Sequence, residues 1–526
     1  MCPRMYRALA LAAPLLVTAA CTDPSVAPRS TVTGANIWSD PNAYSEFMAK
    51  LYGGLILTGQ TGPNGNPDLS NIDEGFSEYL RLYWYMQEVP TDEAVIGWGD
   101  PGLPELNQDS WSANNAMIQG MYYRVYFQVT LANEFLRQTT LGLLNQRGVT
   151  DTLKPRIQQY RAEARWLRAY AYWVGMDFFG GIPLVTEADA IGGPPPRQAT
   201  RDSVYRYVVG ELQAIRDSLP PATPLNYGRA TPVADDMLLA EVYLNAGVYT
   251  GTPHYDLALN EAQAVITSGT YTLDPNYLHN FMADNNTSPE IVFAAIQNAA
   301  HVQTWGGMTF LVHAGGGGSV PAANFCVDVF WGGYRLKQQV YRLFSPGDVR
   351  GSFFWTAGQT DSVISISDFN GGIAAPKFSN RTSTGGCGAQ LGMVDTNFPV
   401  FRLGEAYLIY AEAAVRSNSN LGTALGYFNA LRERAFGNAS ADLSSTAQMT
   451  LDTLLAERAR ELLFEGRRRT DLIRFGKFAG PGATYNWAWK GGKSAGGDLI
   501  DAKYNLYPLP QNEITANPNL KQNPGY

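Results

Sequence analysis

Cleaving a glycosidic bond takes two carboxylates roughly 5–10 Å apart across a cleft, and this chain carries 47 Asp and Glu in 526 residues. At that abundance some pair meets the spacing by accident, so the count discriminates nothing. The adjacent Asp92 and Glu93, in Thr-Asp-Glu-Ala, are the best candidates for an acid and a base. A zinc site needs His, Cys or carboxylate ligands at compact spacing. The four histidines, His254, His279, His301 and His313, form no such pair and no Cys-x-x-Cys accompanies them. No metal and no cofactor is expected. The run Gly315–Gly318 lacks a following Lys-Ser/Thr, so it reads as a flexible loop and not as a phosphate cradle.

Binding a neutral sugar is a different chemistry, and the sequence suits it better. A sugar offers hydroxyls and a weakly apolar ring face, which call for flat aromatic platforms beside amide, carboxylate or guanidinium groups. Two loop regions combine these types. The first, Asp92 to Trp111, holds Trp98, Asp100, Asn107 and Trp111. The second holds Trp305, Asn324, Phe330, Trp331, Tyr334, Arg335 and Trp355. Trp98, Trp305 and Trp331 stand beside glycines, in Gly97-Trp98-Gly99, Trp305-Gly-Gly307 and Trp331-Gly-Gly333. Glycine there lets the backbone turn and leaves the indole accessible. These three are the first choice for ligand contact.

Loops of this kind need a rigid frame. Helical periodicity predicts helices over 115–138, 153–178, 202–219, 232–246 and 255–267, and again over 402–416, 421–434 and 451–465. In the second of these, Ala162, Trp166, Ala169, Tyr170 and Trp173 recur on one face, so Trp166 and Trp173 are expected in the core. Between 268 and 400 the texture changes to Gly-rich loops with short β-prone pieces at 290–296 and 362–367. Paired in order, the helices make four helix-turn-helix units of a degenerate repeat, the third interrupted by that insertion. The acids and bases of Glu457–Arg474 alternate at helical spacing and are read as structural pairs three or four apart. The Pro/Asn-rich tail, 507–526, reads as an extended path along the body.

Composition bounds the rest. Aromatics make up 12% and charged residues 16%, with net charge −8 and no basic run, so nucleic acid is excluded as a partner. Arg4 and Arg7 followed by the apolar Ala8–Val17 read as a signal peptide over 1–20, too short to span a bilayer. Small residues precede Cys21, which is expected to carry a lipid; 21–30 then reads as a tether. The usual Leu three residues before that Cys is Thr18 here. Cys326 and Cys387 remain as a possible disulfide, which sequence alone does not bring together.

Several segments resemble the SusD/RagB family in order along nearly the whole chain. They are Arg161–Tyr170 with Phe179-Gly-Gly-Ile-Pro-Leu-Val185, Gly228-Arg-Ala-Thr231 with Leu238–Leu244, and Arg402–Glu412. The sharpest are Glu457–Gly466 with Asp471-Leu-Ile-Arg-Phe475, and the ending Tyr507-Pro-Leu-Pro510 with Asn517–Tyr526. The resemblance implies a mainly α fold of tetratricopeptide-like helix pairs, with the variable, minor-β region packed against them. Its expected parts are 31–267, the insertion 268–400, and 401–526. It also implies an outer-membrane lipoprotein, facing the cell exterior, that captures oligosaccharides or peptides for a SusC-like TonB-dependent β-barrel transporter and catalyses nothing. The rival readings are a helical scaffold that binds only proteins, and an anchored glycoside hydrolase using Asp92 or Glu93.

Overall fold

The computed structural model describes residues 37–59, 62–63, 67–70 and 72–526; the expected signal peptide, the expected lipid-bearing Cys21 and the expected tether lie outside them. Helices α1 (Ala43–Gly53) and α2 (Tyr79–Glu88) precede the predicted frame. Helix α3 (Ala116–Gln138) starts where the Asn115 side chain accepts from the amides of Met117 and Ile118, satisfying donors a first turn leaves open. Helix α4 (Lys154–Phe179) has Pro155 in its first turn and stops at Gly180, whose φ of 74° a side chain would resist. Thr200 caps α5 (Arg201–Ile215) and Thr231 caps α6 (Pro232–Leu244), followed by α7 (Tyr255–Thr267). After the insertion come α9 (Leu403–Ser417), α10 (Leu421–Phe436), α11 (Leu451–Glu461) and α12 (Arg468–Arg474). The insertion itself holds α8 (Gly307–Ala314).

The helices pack as a chain: α3 on α4, α4 on α5, α5 on α6, α6 on α7, α7 on α9, and α9 on both α10 and α11. Trp166 and Trp173 are buried in α4 as expected, each a side chain whose truncation costs on the order of 3–5 kcal/mol. The fold is therefore mainly α, with two small antiparallel ribbons. Strand β1 (Ala94–Ile96) pairs with β3 (Tyr334–Leu336), and β2 (Ile291–Ala295) pairs with β4 (Phe398–Arg402).

Three sequence expectations need revision, and helix α2 was not among those predicted. The piece 362–367 forms no strand; its carbonyls curl around a guanidinium, with those of Ser365, Ile366 and Asp368 accepting from Arg335 Nη2. Helix α2 escaped the periodicity because it packs against α3, α8 and α12 at once, and all ten of its residues are buried. Gly315–Gly317 are buried rather than loose: an added Cβ would come within 2.6 Å of Tyr334 Oη at Gly315 and of the Phe330 ring at Gly316. The charges of Glu457–Arg474 pair mostly across the fold. Glu461 binds Arg350, Arg402 and Arg434, and Arg402 also reaches Glu290 at 2.8 Å and Glu465 at 2.7 Å. Against the upward push of burial, Arg350, Arg460 and Arg432 hold the Glu457 carboxyl down at about 2. Cys326 and Cys387 are joined in a disulfide, Cα atoms 5.4 Å apart.

Candidate binding surface

The β1–β3 ribbon positions two of the tryptophans. Ile96 lies opposite Tyr334, and beyond that pair the Gly97 amide donates to the Gly333 carbonyl at 3.2 Å. Trp98 and Trp331 therefore stand past the same end of the ribbon, their rings 6.5 Å apart and tilted by 40°. Trp305, on the turn into α8, puts its ring 6.2 Å from that of Trp331, at 58°. Consecutive indoles thus make one bent surface from residues more than 200 positions apart in sequence. Trp305 is 38% exposed, and Trp98 and Trp331 are half-buried.

What stands behind the rings fixes them. The Arg81 guanidinium from α2 lies 5.5 Å from the Trp98 ring, 4.4 Å from Phe310 and 4.1 Å from Phe76. Its Nε donates to Tyr85 Oη at 2.8 Å and its Nη1 to the Trp305 carbonyl at 3.1 Å. One cation thereby locks two of the three tryptophans to one helix. Glu78 caps α2 by accepting from the Arg81 amide at 2.6 Å, and the same oxygen accepts from the Gly307 amide at 2.8 Å as α8 begins. Burial pushes the Glu78 carboxyl up to about 7 despite those donors. His313 lies flat under Trp331, 4.7 Å away at 19°, with Nδ1 2.7 Å from the Val329 carbonyl; burial holds the imidazole below its ordinary value. At Gly333 an added Cβ would come 2.8 Å from Ala314 Cβ and 2.9 Å from Trp98 Cζ2, so the close approach of both to the backbone requires glycine.

The other residues singled out in the sequence fall in different places. Asn107 is buried, bonding the Ile96 amide and carbonyl and so pinning the end of β1. Tyr334 is buried 4.8 Å from the Trp84 ring and donates to the Leu311 carbonyl. Arg335 is buried and donates only within the fold, to the carbonyls of Gly371, Ile366 and Asp368 among others. Asp100 is half-buried, and Asn324 is exposed on a short turn beside the disulfide. Trp355 is half-buried with its Nε1 donating to Ser319 Oγ at 2.9 Å, and Trp111 is buried against Tyr526. Sequence reasoning missed Arg81, Phe310 and His313. The lone Arg in Tyr79-Leu-Arg-Leu-Tyr-Trp-Tyr was the available signal for the first.

The acid pair of the hydrolase reading is committed elsewhere. Asp92 takes a two-pronged bond from Arg468, at 2.7 and 2.6 Å, and Glu93 accepts from the Phe464 amide at 2.9 Å; both are buried. The expectation that no Ser stands in a Gly-x-Ser-x-Gly pattern is corrected by Gly492-Lys-Ser-Ala-Gly496, which matches it. Ser494 lies in a loop without the strand and helix such a turn joins. Among the described residues no group of three or more His, Cys, Asp and Glu is placed to hold a metal.

A SusD superfamily protein from Parabacteroides distasonis superposes with TM-score 0.70 at 19% identity, covering 94% of this chain and all of that one. Surface glycan-binding protein A from Bacteroides thetaiotaomicron, solved with laminarihexaose, gives TM-score 0.69 at 22% identity, over 91% of this chain and 98% of that one. At such identities they show the fold. The sequence carries the family. A model described as the SusD family matches residues 350–526, and one described as starch-binding and associating with the outer membrane matches 92–244. The starch-binding protein SusD of Bacteroides thetaiotaomicron is 33% identical over 97% of this chain and 96% of its own length. The chain belongs to the SusD family, whose members are binding proteins and not enzymes.

Proposed function

We propose that the protein captures neutral oligosaccharides on the surface formed by Trp98, Trp305 and Trp331 and passes them to a TonB-dependent barrel transporter in the outer membrane. The observation that carries the reading is the convergence of three Gly-flanked indoles into one bent, accessible surface. Indoles tilted by 40° and 58° suit a sugar chain that turns along its length. A starch-binding relative at 33% identity and a structural neighbour solved with laminarihexaose support a glucan over a peptide. Asp100 and Asn324 are the polar groups offered to hydroxyls, with Trp355 as an outlying platform. Asn107, Tyr334 and Arg335 act from inside, as supports of the rings. Cys21 would carry the lipid that holds the protein at the outer membrane's exterior face, a placement supported by the family description and by the small residues before that Cys.

Titration of tryptophan fluorescence with maltoheptaose and with laminarihexaose tests the binding step. Saturable quenching that disappears in a Trp98→Ala, Trp331→Ala double variant is expected. No response to either glucan would favour a scaffold that binds only proteins. Co-purification of the lipoprotein with a large β-barrel protein from detergent-solubilised outer membranes tests the delivery step separately.

A further inference from the structure

A second surface fits the same ligand chemistry and shares no residue with the first. A groove of about 640 Å³ opens between the 222–227 loop, the turn at 270–271 and the 286–289 segment. That is within the ~300–1,000 Å³ of ordinary small-ligand sites. Its apolar lining includes Ile291 and Val292 of β2, both buried. Two half-buried tyrosines line it, Tyr227 and Tyr271. One ring is held by a hydrogen bond: Tyr227 Oη accepts from Asn397 Nδ2 at 3.3 Å. The exposed Thr270 and Asn286 stand at the rim and supply a hydroxyl and an amide.

The groove's charge sets it apart. Four other surface cavities carry ionisable side chains: Glu46, Lys50 and Asp68 in one, Arg342 and Asp348 in the next, Asp189 and Arg197 in a third, and Arg201, Asp501 and Lys503 in a fourth. Among the described residues, no Asp, Glu, Lys, Arg or His lines this one. A phosphorylated, carboxylated or cationic ligand would lose its hydration there and find no counter-charge. A neutral sugar loses little, since its ring face meets tyrosine and its hydroxyls meet hydroxyl and amide partners.

We infer that this groove is a second glycan site, taking one or two neutral sugar residues. The choice of ligand rests on the reading of the tryptophan surface as a glycan site, but the groove's occupancy does not.

Amide hydrogen exchange of the full-length protein in detergent, with saturating maltoheptaose and separately laminarihexaose, reads the two surfaces independently. Slowed exchange at 222–227 and 286–292, abolished in Tyr271→Ala and in Asn286→Trp while protection near 328–333 persists, is the expected result. Asn286 is exposed, so its replacement keeps the test sound where Tyr271→Ala unfolds. Unchanged exchange in the groove with both glucans overturns the second site, whatever 328–333 shows. Groove protection without protection at 328–333 keeps the second site and removes the tryptophan surface as the main one.

Discussion

The charged segment 457–474 and the tryptophan surface use side chains in opposite ways. In the first, almost every charge is buried and paired: Arg468 with Asp92, Arg458 with Asp471, Arg474 with Glu412, Arg402 with Glu461 and Glu465. In the second, large rings stand partly in solvent, and glycines, one buried arginine and a buried imidazole hold them. A buried ion pair demands both partners, because either charge alone would be left uncompensated. An exposed ring demands only a firm backing and leaves its own identity free to follow the ligand. The family resemblance therefore sits in the frame, and the candidate site sits in residues no motif marks.

Breaking the charged region should cost the most. Arg402→Ala would leave buried carboxylates of Glu290, Glu461 and Glu465 without their shared partner. A loss of about 3–5 kcal/mol is expected in urea unfolding, with glucan affinity per folded molecule unchanged. Trp331→Ala should do the reverse. An affinity loss of about 2 kcal/mol, roughly 30-fold, is expected by calorimetry, with the thermal midpoint near that of the parent. Gly333→Ala sharpens the contrast, because its Cβ would press on both Ala314 and Trp98 and remove neither. A cost of about 1 kcal/mol in stability and a several-fold weaker complex are expected together.

The pH response separates the regions last, and near neutrality it is the smallest effect. The Glu457 carboxyl is depressed in the fold, so its contribution is complete above the unfolded value of about 4.3. It is lost as pH falls toward 2. Unfolding free energy that is flat in this respect from pH 5 upward and drops below pH 4 in the parent, but drops less in Glu457→Gln, is the outcome that fits.

Much of the frame was legible. The helix over 255–267 has the bounds its periodicity predicts, and α4 buries the stripe from Ala162 to Trp173. Helix α2 was not, because burial on every side erases the polar face that periodicity detects. Of the candidate site, the Gly-flanked tryptophans were readable as accessible rings, since glycine beside indole is a local signal. Their convergence was not, because it depends on the pairing of β1 with β3 across some 240 residues. Tyr334 and Arg335 lie in the same stretch as Trp331 yet point inward. They sit on β3, whose flanks are all covered, and composition does not distinguish a loop residue from a strand residue three positions on.

The central claim is that a glycan lies across Trp98, Trp305 and Trp331. A crystal structure of the protein with maltoheptaose tests it most directly. Sugar rings stacked on at least two of the three indoles, following their bend, are the predicted result. A sugar bound elsewhere, with all three indole faces bare at saturating ligand, would contradict it.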